Sequence, residues 1–443
     1  MPVERLRIDE PVLLIGLVFL CALIILRGRV EIATGVYCAT QRWAYSVDIG
    51  PTVWVWVWVF TIIASAIVFL LRRSTPKSFR LSLDGKVPNI VVWSAFWLLW
   101  MFCLWRSFPT EYSTQLMKNL LVYDSLSFIA ISLLASDLSR VKMFALTYIG
   151  ATLVSGVISI PSLPELINSI QYSIFQLRGL DSVNYLAFAV PFSIATIFLL
   201  VSVSNTTGWW YRVLAIAAIL FCVFCVLLTG ARQSIVALGA AWAIYIFWLL
   251  RRKRLPRWFV MVAIIMTSLV IVLYSQTALV SRWLGPDANL DTLGGRIQVW
   301  QDAWIVFLRS PIWGSGFDYF GASYSAHNLW LDALAGQGIV GFTFLIGFLV
   351  IVVRFAHATG IDIGRDDLAG WRMGAFCVLI YSLVQAMVAG TIGASVSHLF
   401  WVSALIWRLS IAAKRELLAN TTISSLRVPL RLLARVSTPD GYL

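Results

Sequence analysis

The stretch WWYRVLAIAAILFCVFCVLLTGARQSIVALGAAWAIYIFWLLRRKRLPR, residues 209–257, decides the fold. It holds two apolar runs, 210–229 and 233–250, separated only by a short turn around 229–232. Each can cross about 30 Å of hydrocarbon at about 1.5 Å per residue. Behind the second run Arg251, Arg252, Lys253, Arg254 and Arg257 form a tight cluster, as in a loop retained on the cytoplasmic side. Cys222 and Cys225 make a CxxC inside the first run, where thiols pack as small apolar groups. Zinc or redox chemistry is therefore not expected there.

The same pattern extends outward along the chain. Of 443 residues, 60% are hydrophobic and 12% charged, about half the charged fraction of a soluble domain. Apolar runs can be marked at 11–26, 51–71, 87–105, 115–135, 141–160, 184–203, 210–229, 233–250, 258–278, 328–353, 371–390 and 393–412. The expectation is an all-α polytopic membrane protein of about twelve transmembrane helices. Residues 1–412 form one transmembrane domain, 279–327 a large periplasmic loop between the ninth and tenth spans, and 413–443 a basic cytoplasmic tail. The first run follows Arg5 and Arg7 but lacks a small-residue cleavage site, so it reads as a retained helix. VWVWVWVF at 53–60 alternates like a strand, yet a lone strand in lipid leaves its backbone groups unpaired. Trp54, Trp56 and Trp58 are better read as an aromatic belt.

Lys and Arg number 34 against 21 Asp and Glu, a net charge of +13. The charge sits in loops between spans, with Arg72, Arg73, Lys77, Arg80 and Lys86 as a second cluster, so nucleic acid is not an expected partner. With an inside N-terminus and an even number of spans, both clusters and the tail residues Lys414, Arg415, Arg427, Arg431 and Arg435 fall in the cytoplasm. Residues 161–183, 229–232 and 279–327 then face outward and carry Arg178, Arg232, Arg282, Arg296 and Arg309, where the positive-inside rule disfavours arginine. A single interfacial arginine can simply snorkel to headgroups. Several on one face point to an anion, and the guanidinium fork suits phosphate.

The chain has three histidines, and His327 stands where the large loop enters the tenth span, followed by Asn328. Position alone fits an interfacial histidine bonded to a carbonyl as well as it fits a functional one. Downstream lie Asp332 and AGQGIVGF, whose Gly336, Gly338 and Gly341 are expected to thin a helix for close packing. GSGFDY at 314–319 is no dinucleotide fingerprint, because no βαβ unit surrounds it.

Taken in order, TGARQS at 229–234, GGRxxxWxxAW at 294–304, SPxxGxGF at 310–317 and HNxxLDxLAxxGxxG at 327–341 resemble the O-antigen ligase and polysaccharide polymerase family. The resemblance runs over about 180–341. It implies a GT-C-like glycosyltransferase of the bacterial inner membrane that takes a glycan from undecaprenyl diphosphate at the periplasmic face. The acceptor would be lipid A-core for a ligase, or a second lipid-linked glycan for a polymerase. Neither a metal nor another cofactor is implied. Arg232 and Arg296 match the family's arginines and would grip the diphosphate. His327 matches its histidine and would activate the acceptor hydroxyl. Arg178, before the NxxA segment that starts at Asn184, would add a diphosphate contact. Asn184, Arg282, Asn328 and Asp332 complete the expected substrate-binding set, while His398 matches no family motif and is read as packing, with a place in the acceptor cavity as the alternative. Membrane lipids are the remaining expected partners. A transporter of lipid-linked sugars is the minority alternative, and would show repeats and helices broken at mid-membrane.

Overall fold

The structure is a computed structural model that describes residues 10–40, 51–73, 86–105, 114, 120, 124–134, 138–159, 185–206, 208–229, 231–252, 290–316, 319, 326–358, 366–389, 398–414 and 416. In chain order the helices are α1 (Glu10–Arg27), α2 (Val30–Thr40), α3 (Pro51–Arg73), α4 (Lys86–Trp105), α5 (Leu126–Leu134) and α6 (Leu138–Ser159). They continue as α7 (Tyr185–Ser204), α8 (Trp209–Leu228), α9 (Arg232–Arg251), α10 (Leu290–Arg309), α11 (Leu329–Ala358), α12 (Asp366–Ala389) and α13 over 398–414. No strand occurs among the described residues, and five helices are long and apolar enough to cross a membrane: α6, α8, α9, α11 and α12. The described residues are thus all-helical, with helices apolar enough for a bilayer.

Apolar sequence alone would not order these helices against one another in lipid, so contacts fall to aromatic rings and small residues. Phe96 of α4 and Phe128 of α5 stack at 4.1 Å between centroids, with Phe348 of α11, Phe400 and Trp407 of α13 around them. A Cβ on Gly35 of α2 would lie 2.9 Å from the Phe144 carbonyl of α6, so only glycine permits that approach. Buried hydroxyls close on their own helices: Thr34 donates to the Val30 carbonyl, Thr152 to Tyr148 and Ser403 to Leu399. Cys222 and Cys225 are buried free thiols.

One end of the bundle gathers arginines. Arg72 donates to the Leu26 carbonyl at 2.6 Å, Arg29 and Arg140 pair with Glu31, and Lys142 pairs with Asp367. Close by, Gly370 meets Asn205, Ser204 bonds Tyr245 and Arg372 donates to the Ala356 carbonyl. The other end holds the C-terminal turns of α4 and the first turns of α11.

Three expectations change. Counting spans put residue 27 and residue 72 on opposite faces, but the Arg72 to Leu26 bond places them at one end. The reason is α2, which runs back from that end between α1 and α3. Its eleven residues are too few, and its buried Glu31 and Thr34 too polar, for a hydropathy scan to mark them. The large loop contains a twenty-residue helix, α10. Trp56 is 56% exposed as a belt residue should be, whereas Trp58 is 1% exposed and belongs to the core. The expected spans at 258–278 and, in part, 115–135 lie outside the described residues, as does nearly all of the basic tail.

Candidate active site

The site-bearing end is organised by a break in α11. Gly338 has φ 66° and ψ −169°, which interrupts the helix one-third of the way along. Such a break frees carbonyls before it and N–H groups after it, and in a membrane each needs a partner. The segment 311–316 supplies partners for four of them. Ser315 and Gly316 donate their N–H groups to the carbonyls of Ala335 and Gly336 at 2.9 and 2.7 Å. Ile339 and Val340 donate theirs to the carbonyls of Pro311 and Ile312 at 2.8 and 3.2 Å. The fit leaves no room for side chains: a Cβ on Gly338 would lie 2.4 Å from the Ile312 oxygen, and one on Gly314 2.4 Å from the Gln337 nitrogen. Gly338 is therefore a helix breaker filled by a loop. Of the glycines expected to thin the helix for a neighbour, Gly341 does so, with Phe102 of α4 2.6 Å from its would-be Cβ. Gln337 adds a bond from its amide nitrogen to the Cys103 sulfur of α4 at 2.8 Å.

His327 precedes this broken helix. Its φ of 49° makes it the one non-glycine residue with positive φ among those described, and its side chain is exposed. Both neighbours are fixed. On one side Ala326 is buried, its N–H donates to Asp332 Oδ1 at 2.9 Å, and its carbonyl accepts from Trp300 Nε1 of α10 at 2.9 Å. Tyr319 donates its hydroxyl to the same Asp332 oxygen and lies 3.2 Å from the Ala326 nitrogen. On the other side Asn328 caps α11, its Oδ1 accepting from the N–H groups of Trp330 and Leu331 at 3.1 and 3.3 Å. An exposed imidazole thus sits on a backbone whose unusual conformation is imposed from both directions.

Among residues expected at the site, His327, Asn328 and Asp332 fall within one turn and its approach. Asp332 is nearly buried and serves the loop through Oδ1, while its Oδ2 has no hydrogen-bond partner among the described residues. Arg296 lies on α10, four residues before Trp300 and so on the same face of that helix. Arg232 is the first residue of α9, whose Tyr245 bonds Ser204 at the arginine-rich end; α9 therefore starts toward the end that holds His327. Arg178, Asn184 and Arg282 lie outside the described residues. Arg309 closes α10 and is exposed. His398 is 3% exposed, its ring 6.1 Å from that of Tyr381. No group of three or more His, Cys, Asp or Glu arranged to hold a metal occurs among the described residues.

Two side chains in this cluster were not singled out by sequence reasoning. Trp300 was quoted only as part of a motif, although its four-residue spacing from Arg296 already put both on one face. Tyr319 gave no signal, because its partners are reached only after the loop folds.

Comparison with known proteins agrees with the motif reading. Residues 215–346 match the family model described as O-antigen ligase, an interval that includes Arg232, all of α10, the 311–316 segment and the break in α11. No curated protein matches the chain. The four motifs, from 229 to 341, all lie within this matched interval, so over 215–346 the chain is similar to the O-antigen ligase family.

Proposed function

We propose that this protein is an O-antigen ligase: a metal-independent, GT-C-like glycosyltransferase that moves a glycan from undecaprenyl diphosphate to lipid A-core at the periplasmic face of the inner membrane. The observation that carries this reading is His327, an exposed imidazole on a strained, fully tethered backbone inside the stretch that matches the O-antigen ligase family. Strain of this kind is maintained at reactive groups. In the proposed step the acceptor hydroxyl gives its proton to His327 and its oxygen bonds to the anomeric carbon of the donor glycan. The bond from that carbon to the diphosphate oxygen breaks, and undecaprenyl diphosphate leaves with the bonding pair. Arg232 and Arg296 stabilise the charge that grows on the departing diphosphate, with Arg178 and Arg282 as further contacts. Asn328 and Asp332 shape the acceptor side; Asp332 does so by holding the loop.

The arginine-rich end is cytoplasmic in this reading, by the positive-inside rule. α13 then delivers the tail to the cytoplasm, whereas α1, which ends beside Arg72, starts on the periplasmic side. The break in α11 does not favour a transporter: its backbone groups are consumed by the 311–316 segment and are not offered to an ion.

The test is in vitro transfer by the purified protein, with an undecaprenyl diphosphate glycan as donor, lipid A-core or a second lipid-linked glycan as acceptor, and EDTA in parallel. Transfer to lipid A-core that survives EDTA and is lost in His327→Asn is the expected result. Extension of the lipid-linked acceptor instead would make the protein a polymerase, and no transfer to either would overturn the proposal.

A further inference from the structure

At the arginine-rich end, far from His327, lies a pocket of about 320 Å³ lined by Arg27, Gly28, Arg29, Phe69, Arg72 and Arg140. Four of its six lining residues are arginines, and two of them, Arg29 and Arg140, pair at 3.1 and 3.5 Å with the fully buried carboxylate of Glu31, which is not itself part of the lining. Arg140 also lies 4.0 Å above the ring of Phe69, so its position is fixed by a ring and an ion pair together. Arg72 is anchored by its bond to the Leu26 carbonyl. Among the described residues, Glu31 is the one carboxylate paired with these arginines. Like charges this close repel unless an anion lies between them.

The surroundings indicate the kind of anion. Leu26 and Leu71, next in sequence to the lining residues Arg27 and Arg72, are 65% and 66% exposed, and Leu23 and Ile67 are further exposed apolar residues on α1 and α3. Exposed aliphatic side chains on membrane helices face acyl chains. A ligand bound here would meet arginines with its polar end and leucines with its tail. We propose that this pocket binds the phosphate group of an anionic membrane phospholipid, at the face of the bundle opposite the glycan-transfer site. The site is a second, non-catalytic lipid site between α1, α3 and α6.

The test uses the full-length protein in phosphatidylcholine nanodiscs, with phosphatidylglycerol added in steps and bound lipid counted by native mass spectrometry. Wild type is expected to retain one phosphatidylglycerol in preference to phosphatidylcholine. Arg27→Gln, which leaves the Glu31 ion pairs and the Arg72 bond intact, should weaken that retention about tenfold. Glu31→Gln removes the competing carboxylate and should tighten it severalfold, a change in the opposite direction that loss of folding cannot imitate. Unfolding temperatures of both variants are followed in the same samples. Equal retention of the two lipids by wild type, or no response to either substitution, would overturn the proposal. Inorganic phosphate at millimolar concentration is the remaining arm: if it displaces phosphatidylglycerol completely and raises the unfolding temperature alone, the pocket takes a soluble phosphate and the lipid assignment fails.

Discussion

The indole N–H of Trp300 on α10 donates to the carbonyl oxygen of Ala326 at 2.9 Å, and so ties the residue before His327 to the helix that carries Arg296. The backbone before the imidazole is therefore held by the same helix whose sequence carries an arginine proposed to hold the leaving group. Trp300→Phe keeps the ring and removes the donor. The expected loss is about 1 kcal/mol in stability and about ten- to a hundredfold in turnover, with donor KM little changed. Steady-state transfer and thermal unfolding of the same preparation check this, and an unaltered turnover would separate Trp300 from the histidine.

His327 has a left-handed backbone, and the proposed transfer also asks its ring to accept a proton. Asparagine tolerates φ of about +50 to +70° better than most residues and lacks a proton acceptor like imidazole. His327→Asn should fold as wild type does and lose transfer by about a hundredfold or more. His327→Val would add backbone strain to the same chemical loss, so the difference in unfolding temperature between the two variants reports the strain alone.

Asp332 Oδ1 accepts from both the Ala326 N–H and the Tyr319 hydroxyl. Asp332→Asn retains an acceptor at that point, while Asp332→Ala removes the acceptor shared by the Ala326 N–H and the Tyr319 hydroxyl, at a cost of about 1–3 kcal/mol. The alanine variant should unfold at the lower temperature by several degrees and show the larger loss of transfer. Equal behaviour of the two would mean that the negative charge, and not the acceptor, matters.

Gly338 and Gly347 lie on the same helix in opposite situations. A Cβ on Gly338 meets Ile312 oxygen at 2.4 Å in a left-handed backbone, whereas Gly347 has nothing within 4 Å. Gly338→Ala should destabilise by about 1–3 kcal/mol or more, and Gly347→Ala should be neutral or stabilising by up to about 1 kcal/mol. Thermal unfolding in detergent compares them directly.

Arg232→Lys and Arg296→Lys keep the charge and lose the two-pronged fork. Each should lower transfer about tenfold or more, chiefly at limiting donor, because a diphosphate is gripped better by a guanidinium than by an ammonium. Variants that transfer at the wild-type rate across donor concentrations would remove these residues from the donor site.

What could be read from the sequence follows from the range of the physics involved. Spans such as α8 and α9 were placed to within a residue or two, since hydropathy summed over about twenty positions is a local quantity. α10 was missed as an element although Trp300, Ala303 and Phe307 already repeat at helical spacing, because its remaining positions are polar or glycine. α2 stayed hidden because its burial is a property of its neighbours: Glu31 is tolerated inside only through Arg29 and Arg140, the latter more than a hundred residues away. The same limit applied at the site. His327, Arg232 and Arg296 stood out as residue types in unusual places, whereas the role of Tyr319 depends on a partner thirteen residues on.

The seam between the 311–316 segment and the broken α11 is stitched by main-chain groups alone, and that has an evolutionary consequence. Residues whose contribution is only an N–H or a carbonyl, such as Ile312, Ile339 and Val340, can be exchanged for many others without undoing it. Gly314 and Gly338 cannot, since each lies where any side chain would collide with backbone. A saturation library scored for transfer should therefore show narrow glycine-only columns between permissive ones. Such a seam lets the residues around it diversify while the frame that presents His327 stays unchanged.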